Sequence, residues 1–184
     1  RYPQRDRRKE QDWYKFPVSG ISREDAEAYT QWLDRSGRFP GARLCTEHEW
    51  ERAARGADDR IFPSGDILEP DDANIDVTYG RFPSSYGPDV VGSHLKSNSV
   101  FGLLDMAGNV REWTQSIERN NDFLYRDGSF YHTMRTSRSA NRQVGAASLR
   151  NILIGFRVCH DLNQSDSGLF LQGKQVSTRP GTLQ

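Results

Sequence analysis

The chain has 184 residues, of which 25 are basic and 25 acidic, so its formal net charge is zero. This length suits one domain, and a neutral charge balance gives no general attraction to nucleic acid or to anionic membranes. No apolar run approaches the ~20 residues that a membrane helix needs. We therefore expect a soluble single-domain protein that neither inserts into a membrane nor binds nucleic acid.

Two segments in the first third of the sequence predict α-helices. Ser22 and Asp25 form a helix start of the capping-box type, and apolar residues then recur at helical spacing until Gly37. The second helix starts at Thr46, has Glu49 at the capping-box position and stops at Gly56. The predicted inner face of this second helix is apolar: Trp50, Ala53 and Ala54.

From residue 57 onward, Gly, Pro, Asn, Asp and Ser interrupt every periodic segment, which favours loops and short strands. We predict strands near residues 101–104, 124–130, 138–141 and 155–159. We interpret residues 1–12 as a loose polar arm and residues 161–184 as a polar tail, with the folded domain between them at 13–160.

An acidic turn lies within residues 101–113. Asp105 is followed by Gly108 and then, seven positions after the aspartate, by Glu112. Calcium, a hard cation, prefers carboxylate and backbone carbonyl oxygens of this kind. The alternative is that both acidic side chains only cap turns.

The acidic turn, residues 43–56, and residues 138–142 with 155–158 together resemble the formylglycine-generating-enzyme family, also called the sulfatase-modifying-factor domain. The resemblance covers roughly residues 13–160 in the expected order. It implies an α+β fold, a variant of the C-type-lectin fold with two helices, short strands and mostly loops. The further N-terminal strands of that family have no counterpart that we recognise here.

The resemblance also implies two structural calcium sites. In the first, the expected ligands are two side chains and two backbone carbonyls: Asp105 and Glu112, and Gly108 and Val110. Asn74 and Ile75 resemble the start of a second site, although the loop that should supply its other ligands is shorter in this chain.

The activity for which the family is named oxidises a sulfatase cysteine, using copper held by two active-site cysteines. Thiolates suit Cu(I), but no cysteine lies between Cys45 and Cys159. We place Ser139 at one position of the pair and expect the other near Met134. The resemblance therefore implies no bound copper and no oxidase activity.

Two other interpretations of the function stay open. Cys45 stands at a helix entry, where a lowered thiol pKa could support a different redox chemistry, although a small buried residue is the simpler interpretation. The chain could also be a regulatory module, such as those fused to bacterial kinases. A bacterial, archaeal or viral origin fits each interpretation.

We expect the C-terminal loops to bind a ligand, a protein or another macromolecule, because loops on a rigid frame often carry recognition. The candidate contact residues form two segments: Phe130, Tyr131, His132, Thr133, Met134 and Arg135, and then Gln143, Val144, Gly145, Ala146, Leu149, Asn151, Ile152 and Leu153. For Phe130 alone we favour a place in the core.

The arrangement of fixed frame residues with interspersed loop positions also resembles the variable proteins of diversity-generating retroelements. In that branch a reverse transcriptase randomises adenines in a template, and the frame stays constant. The resemblance implies that some of the candidate contact residues are diversified positions.

Overall fold

The computed structural model describes residues 12–117 and 123–161. These contain helices α1 (Arg23–Arg35) and α2 (Glu47–Arg55) and strands β1 (Ala42–Leu44), β2 (Arg111–Gln115), β3 (Phe123–Arg126), β4 (Arg142–Gly145), β5 (Ile154–Phe156) and β6 (Val158–His160). Loops and short 3-10 turns make up most of the remainder. The predicted α+β fold of two helices and short strands is confirmed. The predicted arm and tail lie outside the described residues, except for Asp12 and Asp161.

Both predicted helix starts are confirmed by reciprocal capping boxes. The Ser22 hydroxyl accepts a hydrogen bond from the Asp25 amide at 3.1 Å, while the Asp25 carboxylate accepts one from the Ser22 amide at 2.8 Å. Thr46 and Glu49 repeat this exchange at 3.2 and 2.8 Å. Each box satisfies amide groups that the helix itself leaves unpaired.

The strands form two sheets. The larger has the order β4-β3-β2-β5, in which only β2 and β5 run parallel, and the smaller pairs β1 with β6. All four strand predictions need correction. Residues 101–104 form a loop, and the strand predicted at 124–130 ends at Arg126. Residues 138–141 form a turn before β4, and the strand predicted at 155–159 divides at Arg157 into β5 and β6.

The acidic turn lies at the centre of the core. Met106 packs with Trp50 and Ala54 under α2, whereas its neighbour Ala107 packs into a second cluster around Phe62 and Ile75. Trp113 belongs to a third cluster, where its ring meets Tyr125 edge-on with centroids 5.3 Å apart. One short segment thus contributes a buried side chain to each of the three clusters.

A disulfide joins Cys45 to Cys159 and links the start of α2 to β6. Neither cysteine is therefore a free thiol. This corrects the interpretation of Cys45 as a reactive thiol, whereas the simpler interpretation of a small buried residue is confirmed, since Cys45 is 1% exposed. Because the two cysteines are 114 positions apart in the sequence, only the fold shows that they lie close enough to form a disulfide.

Candidate functional site

A cavity of about 240 Å³ lies beside the acidic turn. Its lining includes all four residues that the resemblance implies as ligands of the first calcium ion, together with Asn109 and Arg157: Asp105, Gly108, Val110 and Glu112. Two acidic residues and two residues whose backbone carbonyls are implied as ligands therefore line one cavity, and oxygen ligands of this kind suit a hard cation.

The backbone of this turn is fixed by close packing. Asp105, Gly108 and Asn109 all have positive φ angles, of 52°, 76° and 64°. A Cβ atom on Gly108 would lie 2.5 Å from the carbonyl oxygen of Asn74, and the Asn109 amide donates to that same oxygen at 2.8 Å. Only glycine fits at 108, because both the φ angle and the close approach exclude a side chain.

Glu112 is already bound by protein donors. Its carboxylate accepts hydrogen bonds from the Trp50 indole at 2.6 Å and from two nitrogens of the Arg157 guanidinium. Arg157 also donates to the carbonyl oxygens of Leu104 and Asp105, at 3.2 and 3.3 Å. A carboxylate has about four lone-pair directions, so a cation in the cavity would share Glu112 with Arg157.

Asp127 is an acidic neighbour of this site that the sequence analysis missed. Its side chain is 1% exposed, and neither carboxylate oxygen has a hydrogen bond of normal geometry within the described residues. Burial raises the pKa of Asp127 well above its usual value, and the charge of Glu112 raises it further. The Gly128 and Gly108 amides act to lower this pKa. Burial also raises the pKa of Asp105, against the effect of the Gly92 amide.

The second implied calcium segment packs directly against the first. The Asn74 side-chain amide donates to the Gly87 carbonyl at 3.0 Å and to the Asn109 side chain at 3.3 Å. The Ile75 amide donates to the Thr78 hydroxyl. Across residues 12–117 and 123–161, no three His, Cys, Asp or Glu side chains form a metal-binding group, so any cation site here depends on carbonyl oxygens.

The candidate contact residues differ in exposure. Half of them are exposed: Tyr131, Thr133, Arg135, Gln143, Val144, Ala146 and Ile152. Six more are half-buried: His132, Met134, Gly145, Leu149, Asn151 and Leu153. Phe130 is 5% exposed, as the core interpretation expected, and so it offers no contact area.

The two contact segments rest on different parts of the fold. In the first, the His132 carbonyl accepts from the Asp76 amide at 3.0 Å, and the Tyr131 ring meets Tyr86 with centroids 4.9 Å apart. The second consists of β4 and the loop after it, which reaches α1, where the Arg23 amide donates to the Ala147 carbonyl at 3.1 Å.

Arg111 lies between the two segments and is the second residue that the sequence analysis missed. Its guanidinium donates to the Gln143 side-chain oxygen at 2.9 Å and lies 5.0 Å from the centre of the Tyr125 ring. Burial, and secondarily the Arg111 charge, lowers the pKa of His132 to about 4. The signal was a charged residue two positions before Trp113, hence on the same inward face of β2.

The position predicted for a copper-binding cysteine is inside the protein. Ser139 is 1% exposed, its amide donates to the Ile61 carbonyl at 2.9 Å, and its hydroxyl has no hydrogen-bond partner within the described residues. Met134 packs against the cluster around Phe62 and Ile75. With both cysteines in a disulfide, the chain has no thiolate pair for Cu(I).

In the part of the chain that the structure describes, no helix has the length and apolar character needed to cross a membrane.

A family model described as the sulfatase-modifying factor enzyme 1-like domain matches residues 1–162. Inactive C-alpha-formylglycine-generating enzyme 2 of Bos taurus is 38% identical over 109 residues, which cover 55% of this chain and 33% of that protein. Formylglycine-generating enzyme of Mycobacterium tuberculosis is 41% identical over 106 residues, covering 53% of this chain and 32% of that protein. The chain thus spans about a third of the length of these relatives.

Among solved structures, Treponema denticola variable protein 1 superimposes with a TM-score of 0.68. The match covers 88% of this chain and 78% of that chain at 18% sequence identity. It supports the C-type-lectin-like fold that the sequence resemblance implied.

Proposed function

This chain belongs to the family of sulfatase-modifying factor enzyme 1-like domains, and we propose that it is a non-catalytic member that binds a ligand through its C-terminal loops. The observation that carries the proposal is the absence of any free thiol, since the sequence has two cysteines and the disulfide uses both. The relatives include proteins named as inactive and as active enzymes, so the proposal rests on the thiol content of this chain rather than on their names.

Ligand binding is supported by the exposure of the two contact segments. Tyr131 and Ile152 are 56% and 70% exposed, although large apolar side chains are usually buried. Arg135 is also exposed, and aromatic residues and Arg dominate the binding energy of protein interfaces. A protein is therefore the ligand class that this surface fits best.

The catalytic half of the proposal is tested with a synthetic sulfatase peptide and added copper. We expect no aldehyde on the peptide cysteine by mass spectrometry, under conditions in which an active family member converts the same peptide. Formation of formylglycine by this chain would refute the proposal.

The binding half is tested by selecting random displayed peptides on the intact chain. We expect the selected peptides to lose binding to a variant with Tyr131→Ala and Ile152→Ala. The matched control carries Leu95→Ala and Val100→Ala, which remove exposed apolar side chains outside both contact segments. Equal binding to all three proteins would place the ligand surface elsewhere.

Calcium is proposed as a brace of the acidic turn rather than as a participant in chemistry. Asp105 and Glu112 are the side chains that would hold it, with the carbonyls of Gly108 and Val110, because these groups border one cavity. Chelation should lower the melting temperature, and added calcium should restore it. An Asp105→Asn variant should not respond to either treatment, and an unchanged melting temperature of the wild-type chain on chelation would contradict the brace.

A second candidate function is a diversified binding protein encoded next to a retroelement. The likeness in fold to Treponema denticola variable protein 1 and the two exposed loop segments favour this branch. It requires an adenine-rich near-repeat of the coding region for residues 130–158 beside a reverse transcriptase gene. A locus without that repeat leaves an ordinary ligand-binding module.

A further inference from the structure

Arg111 is a buried cation that makes no ion pair or hydrogen bond with a carboxylate of the described residues. Burial lowers its pKa, and the charge of Asp127 acts against this effect. Only 8% of its surface is exposed, it takes part in no ion pair within the described residues, and its Nε atom has no hydrogen-bond acceptor. Its contacts are the Gln143 amide oxygen and the face of the Tyr125 ring. Burying a charge without a counter-charge costs considerable free energy.

Two other arginines, the buried Arg126 and the half-buried Arg157, show which direct contact Arg111 is missing. Arg126 binds Glu47 at 3.1 Å and Glu51 at 2.9 Å. Arg157 binds both oxygens of Glu112. Each of these guanidinium groups is in direct contact with carboxylates of its own chain. Arg111 instead donates to the neutral amide of Gln143, and the Asp127 charge acts on it without an ion pair in the described part of the chain.

Arg111, which has no carboxylate of the described residues in direct contact, interacts with residues of both contact segments. Gln143, which it binds, is an exposed residue of the second contact segment, and His132, whose pKa it lowers, belongs to the first. In the sheet, Trp113 lies opposite Tyr125 and Tyr125 opposite Gln143, so Arg111 shares their face at the end nearest the first segment.

We propose that Arg111 determines ligand specificity by binding a carboxylate of the partner protein, with Gln143 occupying that position in the free molecule. The planar guanidinium presents paired N–H donors that match the two oxygens of a carboxylate. The exposed Gln143 side chain can rotate aside on the edge strand β4. This inference rests on the ligand-binding function proposed above and adds the chemical class of the group that is recognised.

The carboxylate has two sources in a protein ligand, an acidic side chain or the chain terminus. A free C-terminus carries one carboxylate beside a peptide amide, whereas Asp and Glu carry it on a flexible stem. N-acetylglycine models the terminus and N-acetylaspartate amide models the side chain. Because each probe carries only one kind of carboxylate, the pair separates the two sources directly.

The test follows the Nε–Hε resonance of Arg111 by NMR while each probe is added to the intact chain. We expect a saturable shift with at least one carboxylate and a dissociation constant of the order of 10 mM, as suits a single contact. Acetamide and sodium chloride should produce no saturable shift. Carboxylate titrations that give the same response as acetamide or sodium chloride would overturn the proposal.

Gln143→Glu provides the decisive variant, because it places a carboxylate of the chain itself on Arg111. We expect probe binding to weaken by about tenfold or more, with no loss of melting temperature. Gln115→Glu makes the same chemical change at an exposed position on β2 and should leave probe binding unchanged. Arg111→Lys keeps the charge but not the paired donors, and should bind the probes more weakly than wild type; because it lacks the Nε–Hε reporter, its titration is followed through the backbone amides of residues 111 and 143.

The outcomes separate this inference from the proposed function. If the selected peptides need Tyr131 and Ile152 but bind equally well without a carboxylate, the proposed ligand-binding function stands and the role of Arg111 is refuted. Unaltered probe binding in Gln143→Glu would also refute it. Saturable carboxylate binding at Arg111 without any selected peptide would leave the local chemistry intact and refute the wider binding function.

Discussion

The acidic turn at residues 105–113 and the two contact segments, residues 130–135 and 143–153, are neighbours, yet their side chains differ in how tightly they are packed. In the turn, Gly108 lies against the backbone of Asn74, the Glu112 carboxylate accepts three hydrogen bonds, and Trp113 is fully buried. In the loops, half of the candidate contact residues are exposed. This chain therefore packs the acidic turn tightly and leaves half of the side chains in the neighbouring contact segments exposed.

The largest effect should come from a single methyl group in the turn. Gly108→Ala would force a Cβ to 2.5 Å from the Asn74 carbonyl at a φ of 76°, so we expect a loss of about 4 kcal/mol or complete unfolding. Gly102→Ala has a φ of 77° with no atom within 4 Å of the new Cβ, and should cost about 1 kcal/mol. Urea unfolding of both variants measures the difference, and equal losses would show that the close approach is unimportant.

Reduction of the disulfide should have the next largest effect. Its cysteines are separated by 114 positions, and cross-links of this kind stabilise by about 2–4 kcal/mol, chiefly by restricting the unfolded chain. Melting should therefore occur at a lower temperature in dithiothreitol. The melting temperature of a double Cys45→Ala, Cys159→Ala variant should not change when the reductant is added. An unchanged melting temperature of the wild-type chain, with both thiols shown to be free, would contradict the prediction.

A smaller effect should appear in the loops as a dependence of stability on pH. The pKa of His132 is about 4 in the folded chain, lowered by burial and by Arg111 against the opposing charge of Asp76, from an ordinary 6.5. Below pH 6.5 the unfolded chain binds a proton there that the folded chain does not. Stability is therefore lost as pH falls from 6.5 toward 4.

We expect this loss to be no more than about 2 kcal/mol, because His132 is only half-buried and solvent screens its charge. The measurement is the difference in unfolding free energy between wild type and His132→Gln, at pH 7.5 and at pH 4.5. The difference isolates His132 from the other titratable groups of the chain. A difference that is the same at both pH values would show that His132 titrates normally.

The sequence predicted those features that depend on neighbouring residues. Both helix starts are correct because a capping box needs only four consecutive residues, such as Ser22 to Asp25. The acidic turn was recognised from Asp105, Gly108 and Glu112, which lie within eight positions and border one cavity. Local patterns therefore sufficed for the helices, whereas the candidate cation site stays a prediction that rests on the family resemblance.

Features that depend on distant residues could not be predicted in this way. β4 begins at Arg142, after the turn that the sequence analysis had taken for a strand, because its position is set by pairing with β3. The disulfide and the place of Arg111 depend on partners from other elements. Asp127 fell within the strand predicted at 124–130 with no sign of a special role, and only the packing around it shows that it is buried.

The central claim is that the exposed loop residues are a replaceable surface on a fixed frame. The most direct measurement randomises Tyr131, Arg135, Gln143, Val144 and Ile152 together in a displayed library. It then scores folding and peptide binding of every clone. We predict that most clones stay folded and acquire different peptide preferences, while the same randomisation at buried frame positions abolishes folding. Loop clones that mostly unfold, or that all keep one peptide preference, would contradict the account.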